Sequence, residues 1–429
     1  MPFLPPALRR YVGDKLASDP LLRNPDFRRY WLSSVLNSFG AQISALAVPL
    51  CSALLLHATP GQMGIIAACQ ALPYALFALP AGVWLDRRRK LPILLASRLL
   101  QGALLASIPL GWWLGMLSMH WLYAVTFLFA TCGVLSGAAE QIFLNLLVGR
   151  QQLIEAQSKF ATTDSISRLV APGLAGLLVQ WLTAPFAILF DAASFFISAW
   201  NLRKTQLAEP APVPSDKHPL RDIASGFAFI WHEPLLRTLA WGAALWHFFL
   251  FGYSALLILL ATRELGMTAG MLGAAQMLGG LGVFLSAVLV KRLNRRYGAG
   301  KTFLVGTCGT VAGFALMPAI PASLFGNPVY SAAAFGLVVF MYDCAVMLYF
   351  IPFMALRMKA TPDAYTGRVI STMRFLTGVT GPAGALAAGY LGDHYGIRTG
   401  MACVAAGGIV LAAALVMSRP LRSVAPDQP

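Results

Sequence analysis

The sequence predicts an all-α membrane protein with twelve transmembrane helices in two six-helix pseudo-symmetric halves. Three observations predict it. Of 429 residues, 58% are hydrophobic and only 11% are charged, whereas a soluble domain carries about 25% charge. The apolar residues gather in twelve runs, each long enough for a spanning helix of about 20 residues. The cations fall almost entirely on one side: of 32 Lys and Arg, 27 lie in the N-terminal tail, the turns after even-numbered runs and the C-terminal tail. Lys and Arg mark the cytoplasmic side, so both termini are expected in the cytoplasm.

Residues 1–29 form a cytoplasmic tail with a Pro-rich start. Arginines are present, but no short apolar run ends there in a small-residue cleavage site, so no cleaved signal peptide is expected. Spans 1 to 6 lie near Trp31–Leu56, Met63–Leu85, Leu91–Leu114, Trp121–Val148, Phe160–Leu182 and Pro185–Leu202, and make an N-terminal bundle, residues 30–202. Residues 203–234 form a cytoplasmic linker. Its first part, RKTQLAEPAPVPSDKHP, is polar and Pro-rich, hence extended. In its second part Ile223, Phe227 and Ile230 recur at helical spacing, which predicts a short amphipathic helix on the membrane face. Spans 7 to 12 lie near Leu235–Ala261, Met267–Val290, Thr302–Ile320, Val329–Leu356, Val369–Leu391 and Thr399–Met417, and make a C-terminal bundle, residues 235–418. Residues 419–429 are a cytoplasmic tail.

The turn between spans 2 and 3, GVWLDRRRK (Gly82–Lys90), is the most informative stretch. One carboxylate and four successive cations sit between two apolar runs, as in a tight cytoplasmic hairpin, and Gly82 lets a neighbouring backbone come close. The turn between spans 8 and 9, VKRLNRRYG, repeats the theme. Spans 5 and 11 carry matching Gly/Pro clusters, APGLAG with Pro172, Gly173 and Gly176, and GPAGALAAG with Gly381, Pro382 and Gly384. Paired clusters of this kind mark hinges in the breakable helices of transporters.

Several function classes are excluded. The net charge of +15 invites a nucleic-acid reading, but cations confined to turns are an orientation signal, not a binding face. Six cysteines stand singly in apolar runs, so they are read as reduced, buried residues. Six dispersed histidines show no metal spacing, and neither a G-x-S-x-G nor a Walker loop is present, so no enzyme, metal or cofactor is expected. Without an ATP site, active transport must draw on an ion gradient.

Charges inside spans are the best functional candidates, because each costs at least about 2.5–3.5 kcal/mol at the centre of a bilayer helix. Asp343 lies near mid-depth in span 10 and Glu140 in the inner half of span 4. A carboxylate held there can take a proton from one side and release it to the other. Asp191 lies shallow in span 6, and reads equally as a residue that holds a neighbouring helix. Asp164, at the start of span 5, is also favoured there by the helix dipole alone. Arg168 and Arg374 either snorkel or pair with these acids.

These features resemble the major facilitator superfamily of secondary transporters. GVWLDRRRK looks like its signature between helices 2 and 3, although Arg89 stands where a second Gly is usual. APGLAG resembles its helix 5 antiporter signature, with Ala171 in place of a Gly. RNPDFRRYWLSSVLNSFGAQ, APFAILFDAASFFISA and PDAYTGRVISTMRF resemble the drug:proton antiporter branch that holds macrolide-efflux and enterobactin-exporter-like proteins. The resemblance covers residues 22–418. It implies the major facilitator fold, a multi-pass protein of the bacterial inner membrane, and a monomer. It also implies an inner latch of Gly82, Asp86, Arg87 and Arg88 against the start of span 11, and a cavity lined by spans 1, 4, 7 and 10. Cavity candidates are Asn37, Gln42, Gln141, Trp241, His247, Tyr253, Tyr342 and Tyr349. The expected function is proton-coupled export of bulky amphipathic molecules, macrolide-like drugs or siderophores, by alternating access, with Asp343 and Glu140 as proton carriers. The expected partners are the small-molecule substrate, protons and the bilayer. A proton-linked importer of a small metabolite and a non-transporting scaffold or sensor are the alternatives.

Overall fold

The computed structural model describes residues 19–86, 88–205 and 219–422. Ten segments are long and apolar enough to cross a membrane. One of them, Ala269–Ala319, turns at Gly298 and contributes two spans. Thr366–Tyr395 adds another at 30 residues, less apolar because of its Thr, Gly and Arg content. The twelve are α1 (Pro25–Leu50, prolonged by a π-turn, Cys51–Leu55), α2 (Pro60–Asp86), α3 (Lys90–Trp113), α4 (Met119–Gly149), α5 (Gln151–Leu182), α6 (Ala184–Arg203), α7 (Pro234–Leu259, prolonged by a π-turn, Leu260–Glu264), α8 (residues 269–297), α9 (residues 299–319), α10 (Pro328–Lys359), α11 (Thr366–Tyr395) and α12 (Ile397–Met417).

The halves repeat each other in local detail. The π-turn that ends α1 recurs at the end of α7, six helices later. Thr59 and Thr268 stand before α2 and α8, and each hydroxyl accepts the amide three residues on, at 3.3 Å. The corner from α5 to α6 is Thr183 (φ 75°, ψ 159°), and that from α11 to α12 is Gly396 (φ 90°, ψ 156°). Only glycine adopts that conformation without strain, so Thr183 pays a penalty that Gly396 avoids.

Two elements differ from the sequence expectation. Helix α5 begins at Gln151 rather than Phe160, because QQLIEAQSK carries the helix out of the apolar zone. Asp164 therefore sits well inside α5, and the dipole argument for it lapses. Helix α8 likewise runs past Val290 to the corner at Gly298. The amphipathic linker helix is Pro219–His232. Ile230 is buried, Phe227 is exposed, and Phe229 stacks on Tyr365 with centroids 4.4 Å apart, which docks the helix on the start of α11. The Ile223 side chain and the Pro-rich part of the linker, residues 206–218, lie outside the described residues, as do tail residues 1–18 and 423–429.

The halves meet along two seams, α2 against α11 and α5 against α8. Small residues bring the backbones together there, as membrane helices require. A Cβ on Gly64 would lie 2.6 Å from the Ala385 carbonyl oxygen, and one on Gly389 2.9 Å from that of Pro60. On the other seam a Cβ on Gly176 would lie 2.5 Å from the Ala269 oxygen, and one on Gly273 2.5 Å from the Pro172 oxygen. Polar contacts reinforce this closure. Arg263 Nη2 donates to the Ala58 carbonyl (2.8 Å), the Gly270 amide to Gln180 Oε1 (3.1 Å), and Thr59 Oγ1 to Asp393 Oδ2 (3.3 Å). All three lie at the end of the bundle opposite the chain termini. Arg398, the other cation of that end, donates to the Pro318 and Ile320 carbonyls and pairs with Glu264 at 3.2 Å.

Candidate functional site

A cavity of about 580 Å³ lies at mid-depth between the halves, walled by α2, α7 and α11. Its polar lining is Gln70, Tyr74, His247, Arg374 and Thr377, and the remainder is apolar. His247 Nδ1–H donates to the Ala243 carbonyl at 2.8 Å, the usual link one helical turn back, which orients the ring. Arg374 is exposed, and its guanidinium has no ion-pair or hydrogen-bond partner among the described residues. Its charge faces the cavity together with Tyr74, so the site can meet an acceptor or anionic group on an otherwise apolar molecule.

A second chamber, about 270 Å³, lies inside the N-terminal half among α1, α2, α3, α4 and α6. Gln70 and Tyr74 line both spaces, so one turn of α2 separates them. Asp191 lies at the chamber wall, fully buried. Ser194 Oγ lies 3.3 Å from its Oδ1, while its Oδ2 has no partner. Gly40 of α1 lies against it, where any Cβ would strike Oδ1. The sequence placed this acid by its distance from the start of a span, and distance along a helix does not show a chamber reaching it from the side.

The other acids have different surroundings. Glu140 makes an ion pair with Arg98 of α3, whose side chain is 13% exposed and lies 5.4 Å from the Phe195 ring centroid. The sequence reading left Arg98 unassigned, and nothing in a separation of 42 residues signals the pair. Asp343 presses on α8, where a Cβ on Gly279 would strike Oδ2. It makes no hydrogen bond or ion pair among the described residues. The next residue, Gly280, lies against the Arg168 and Leu169 backbone of α5, so Asp343 stands one helix away from the seam between the halves. Asp164 and Arg168 pair with each other along α5 (Nε to Oδ2, 2.8 Å), both about half exposed, and not with Arg374.

Of the expected latch, Arg87 and the side chains of Gly82 and Asp86 lie outside the described residues. Arg88 lies 6.0 Å from the Trp84 ring centroid. The clusters expected to be hinges are places of close approach. Helices α5 and α11 run unbroken through Pro172 and Pro382. A Cβ on Gly173 would strike Met277 of the other half, and one on Gly381 would lie 2.9 Å from Phe251, while Gly384 touches the Phe248 backbone.

The structure distributes the cavity candidates unevenly. Only His247 lines the central space. Asn37 joins α1 to α6, accepting from Ser194 Oγ (3.1 Å) and donating to Ser198 Oγ (3.3 Å). Tyr349 is fully buried and stacks on Trp246 with centroids 4.3 Å apart. Tyr253 and Tyr342 pack together at 5.1 Å, their hydroxyls unpartnered. Trp241 packs against the core of the C-terminal half. Gln42 is half-buried, Gln141 is exposed, and neither lines the two cavities. The residues that the sequence missed, Gln70 and Tyr74, sit on α2, whereas attention had gone to spans 1, 4, 7 and 10.

The family model of the Major Facilitator Superfamily matches residues 30–385. The chain is 26% identical over 392 residues to the uncharacterised MFS-type transporter YfiS of Bacillus subtilis, covering 88% of this chain and 89% of that one. It is 25% identical over 431 residues to the enterobactin exporter EntS of Shigella flexneri, covering 95% and 96%. Among solved structures it resembles the nucleoside transporter NupG (TM-score 0.75, 13% identity, 92% of this chain and 98% of that one). It also resembles a bacterial homologue of the iron transporter ferroportin in its inward-facing state (TM-score 0.67, 18% identity, 94% and 100%). At those identities the structural matches speak for the fold alone. With the twelve-helix, two-half architecture and the family match over most of its length, the chain belongs to the major facilitator superfamily.

Proposed function

We propose that this transporter exports bulky amphipathic small molecules across a bacterial inner membrane, driven by proton entry. The observation that carries the reading is the central cavity, largely apolar, at mid-depth between two halves, with the three polar contacts named between the halves all at one end. The cation-rich end is assigned to the cytoplasm, so the closed end faces outward and the cavity is poised to load from the cell interior. The enterobactin exporters among the relatives favour a siderophore-like compound, and the unpaired Arg374 suits the acceptor groups of such a molecule. A macrolide-like drug fits the same apolar walls.

Asp343 is the proposed proton carrier. Its carboxylate presses on Gly279 of α8, next to Gly280, which packs on the Arg168 backbone across the α5–α8 seam. Protonation removes that charge, and so changes the balance between the arrangement with the outer end closed and one with it parted. Glu140, already neutralised by Arg98, exchanges a proton only if that pair opens, which places it second. Monomer is the proposed assembly state, and Gly82, Asp86, Arg87 and Arg88 the proposed latch.

Direction and coupling are tested together in cells that express the protein. Wild type lowers the steady accumulation of a fluorescent macrolide or a siderophore, and a protonophore abolishes the effect. Asp343→Asn abolishes export while substrate binding to the purified protein persists. Raised accumulation in expressing cells would support the importer instead, and full export by Asp343→Asn would remove Asp343 from the coupling role.

A further inference from the structure

The chamber inside the N-terminal half is not accounted for by the central cavity. Its polar edge consists of groups short of partners. Asp191 Oδ2 and Ser44 Oγ, both lining it, are buried and face each other, with no further hydrogen-bond partner among the described residues. Gln101, whose Nε2 would lie 3.8 Å from a Cβ on the lining residue Gly133, has an Oε1 that is likewise buried and unpartnered. Gln101 Oε1 accepts only, and the Asp191 carboxylate does so when ionised. Buried polar groups are normally satisfied, and a cluster of orphans calls for a missing partner. Here the missing partner must donate.

A donor that carries positive charge would also match an ionised Asp191. Asp191 is fully buried on α6. The facing groups are Gly40 and Ser44 on α1, Gln70 and Tyr74 on α2, Gln101 on α3, and Thr126 and Phe129 on α4. None of them is a cation. The nearest cation, Arg98 of α3, acts on Asp191 only at a distance, while its Nη2 pairs with Glu140 and its guanidinium lies over the Phe195 ring. A buried carboxylate is stable as an ion only with a counter-charge. The rings of Tyr74 and Phe129 line the same space, and ring faces attract cations. At about 270 Å³ the chamber far exceeds the roughly 10–15 Å³ that one water needs, so it admits an aliphatic chain with a polar head. Gln70 and Tyr74 form the wall that the chamber shares with the central cavity, so the two spaces are neighbours across one turn of α2.

We propose that this chamber binds the protonated amine of a transported amphipath, with Asp191 as its counter-charge and Gln101 and Ser44 as its hydrogen-bonding partners. The inference deepens the export reading and rests on it for the word "transported", but binding is measured without transport. The test uses the purified full chain in detergent and dansylcadaverine, a fluorophore on a five-carbon primary amine, with its N-acetyl derivative as the uncharged control. Wild type binds the amine at least tenfold tighter than the acetylated probe. Asp191→Asn removes that difference, and Asp343→Asn keeps it. Equal binding of the two probes by wild type would overturn the proposal without any variant, so a folding defect in Asp191→Asn cannot shield it. Unchanged preference for the amine in a folded Asp191→Asn would also overturn it. Amine binding that depends on Asp191 but is accompanied by no flux in vesicles would leave this site standing and remove the export reading.

Discussion

Gly176→Ala tests how the closed end is held. The added Cβ would lie 2.5 Å from the Ala269 carbonyl oxygen, 2.9 Å from Gly273 Cα and 3.2 Å from Gly273 N. All three atoms are backbone, so no rotamer change relieves the contact. To restore ordinary separation, α5 and α8 must part by about 1 Å. Overpacking of this kind costs typically 1–3 kcal/mol, charged only to the state in which the seam is closed, and a difference of that size shifts a two-state equilibrium by roughly 5- to 150-fold. Ala58 reports on the shift: it is fully buried in the closed end, and its carbonyl accepts from Arg263. In a chain whose six cysteines have been replaced, Ala58→Cys is labelled slowly by a charged maleimide. Adding Gly176→Ala should raise the labelling rate at least fivefold without lowering the yield of folded protein. An unchanged rate would show that the glycine contact does not hold the outer end shut.

Further predictions rest on single contacts. Glu140→Gln leaves Arg98, 13% exposed, as an unpaired buried cation and should cost about 3–5 kcal/mol, read by thermal denaturation in detergent. Adding Arg98→Met should restore most of the loss, and a double variant no better than the single would show that the pair is not the cause. Gly64→Val places a side chain against the Ala385 backbone of the α2–α11 seam and should expose Ala58→Cys in the same way as Gly176→Ala. At the cation-rich end, Asp19 caps the Pro20–Arg23 helix through the Leu21 and Leu22 amides and pairs with Lys159. Partial burial pushes its carboxyl up, but Lys159 and the two amides together outweigh this and hold it below its ordinary 3.8. A depressed acid stabilises the fold above its unfolded value and loses that contribution as pH falls through the folded one. Asp19→Asn should therefore lower the melting temperature at pH 7, and its effect should fade as the pH falls below 3.8 through the folded-state value.

The number of spans was legible because hydropathy is a local property. Arg263 and Arg398, the two cations of the cation-poor end, tie helix ends together. The start of α5 was not legible, because QQLIEAQSK is polar enough to read as a turn while remaining a good helix. The site was less legible than the fold. Asp343 and Glu140 stood out as charges in apolar runs, but their partners depend on which helix faces lie together. Arg98 meets Glu140 across α3 and α4, and Asp343 meets a glycine of α8. Tyr253, Tyr342 and Tyr349 looked like ligand contacts by type, yet they fill the C-terminal half, where aromatic area serves packing. Asp191 showed one local sign: Ser194 stands three residues later, one helical turn on, and its hydroxyl donates to the Asp191 carbonyl oxygen at 2.8 Å.

The most direct test of the central claim is a proton-flux measurement in everted membrane vesicles. Lumenal pH is followed after energisation while macrolides, dyes and siderophores are added one at a time, with wild type and Asp343→Asn side by side. Proton-coupled export predicts that at least one compound releases protons from the lumen in wild type and none does so in Asp343→Asn. Uptake of such a compound into the vesicles with no movement of protons, or identical proton release by both proteins, would contradict it.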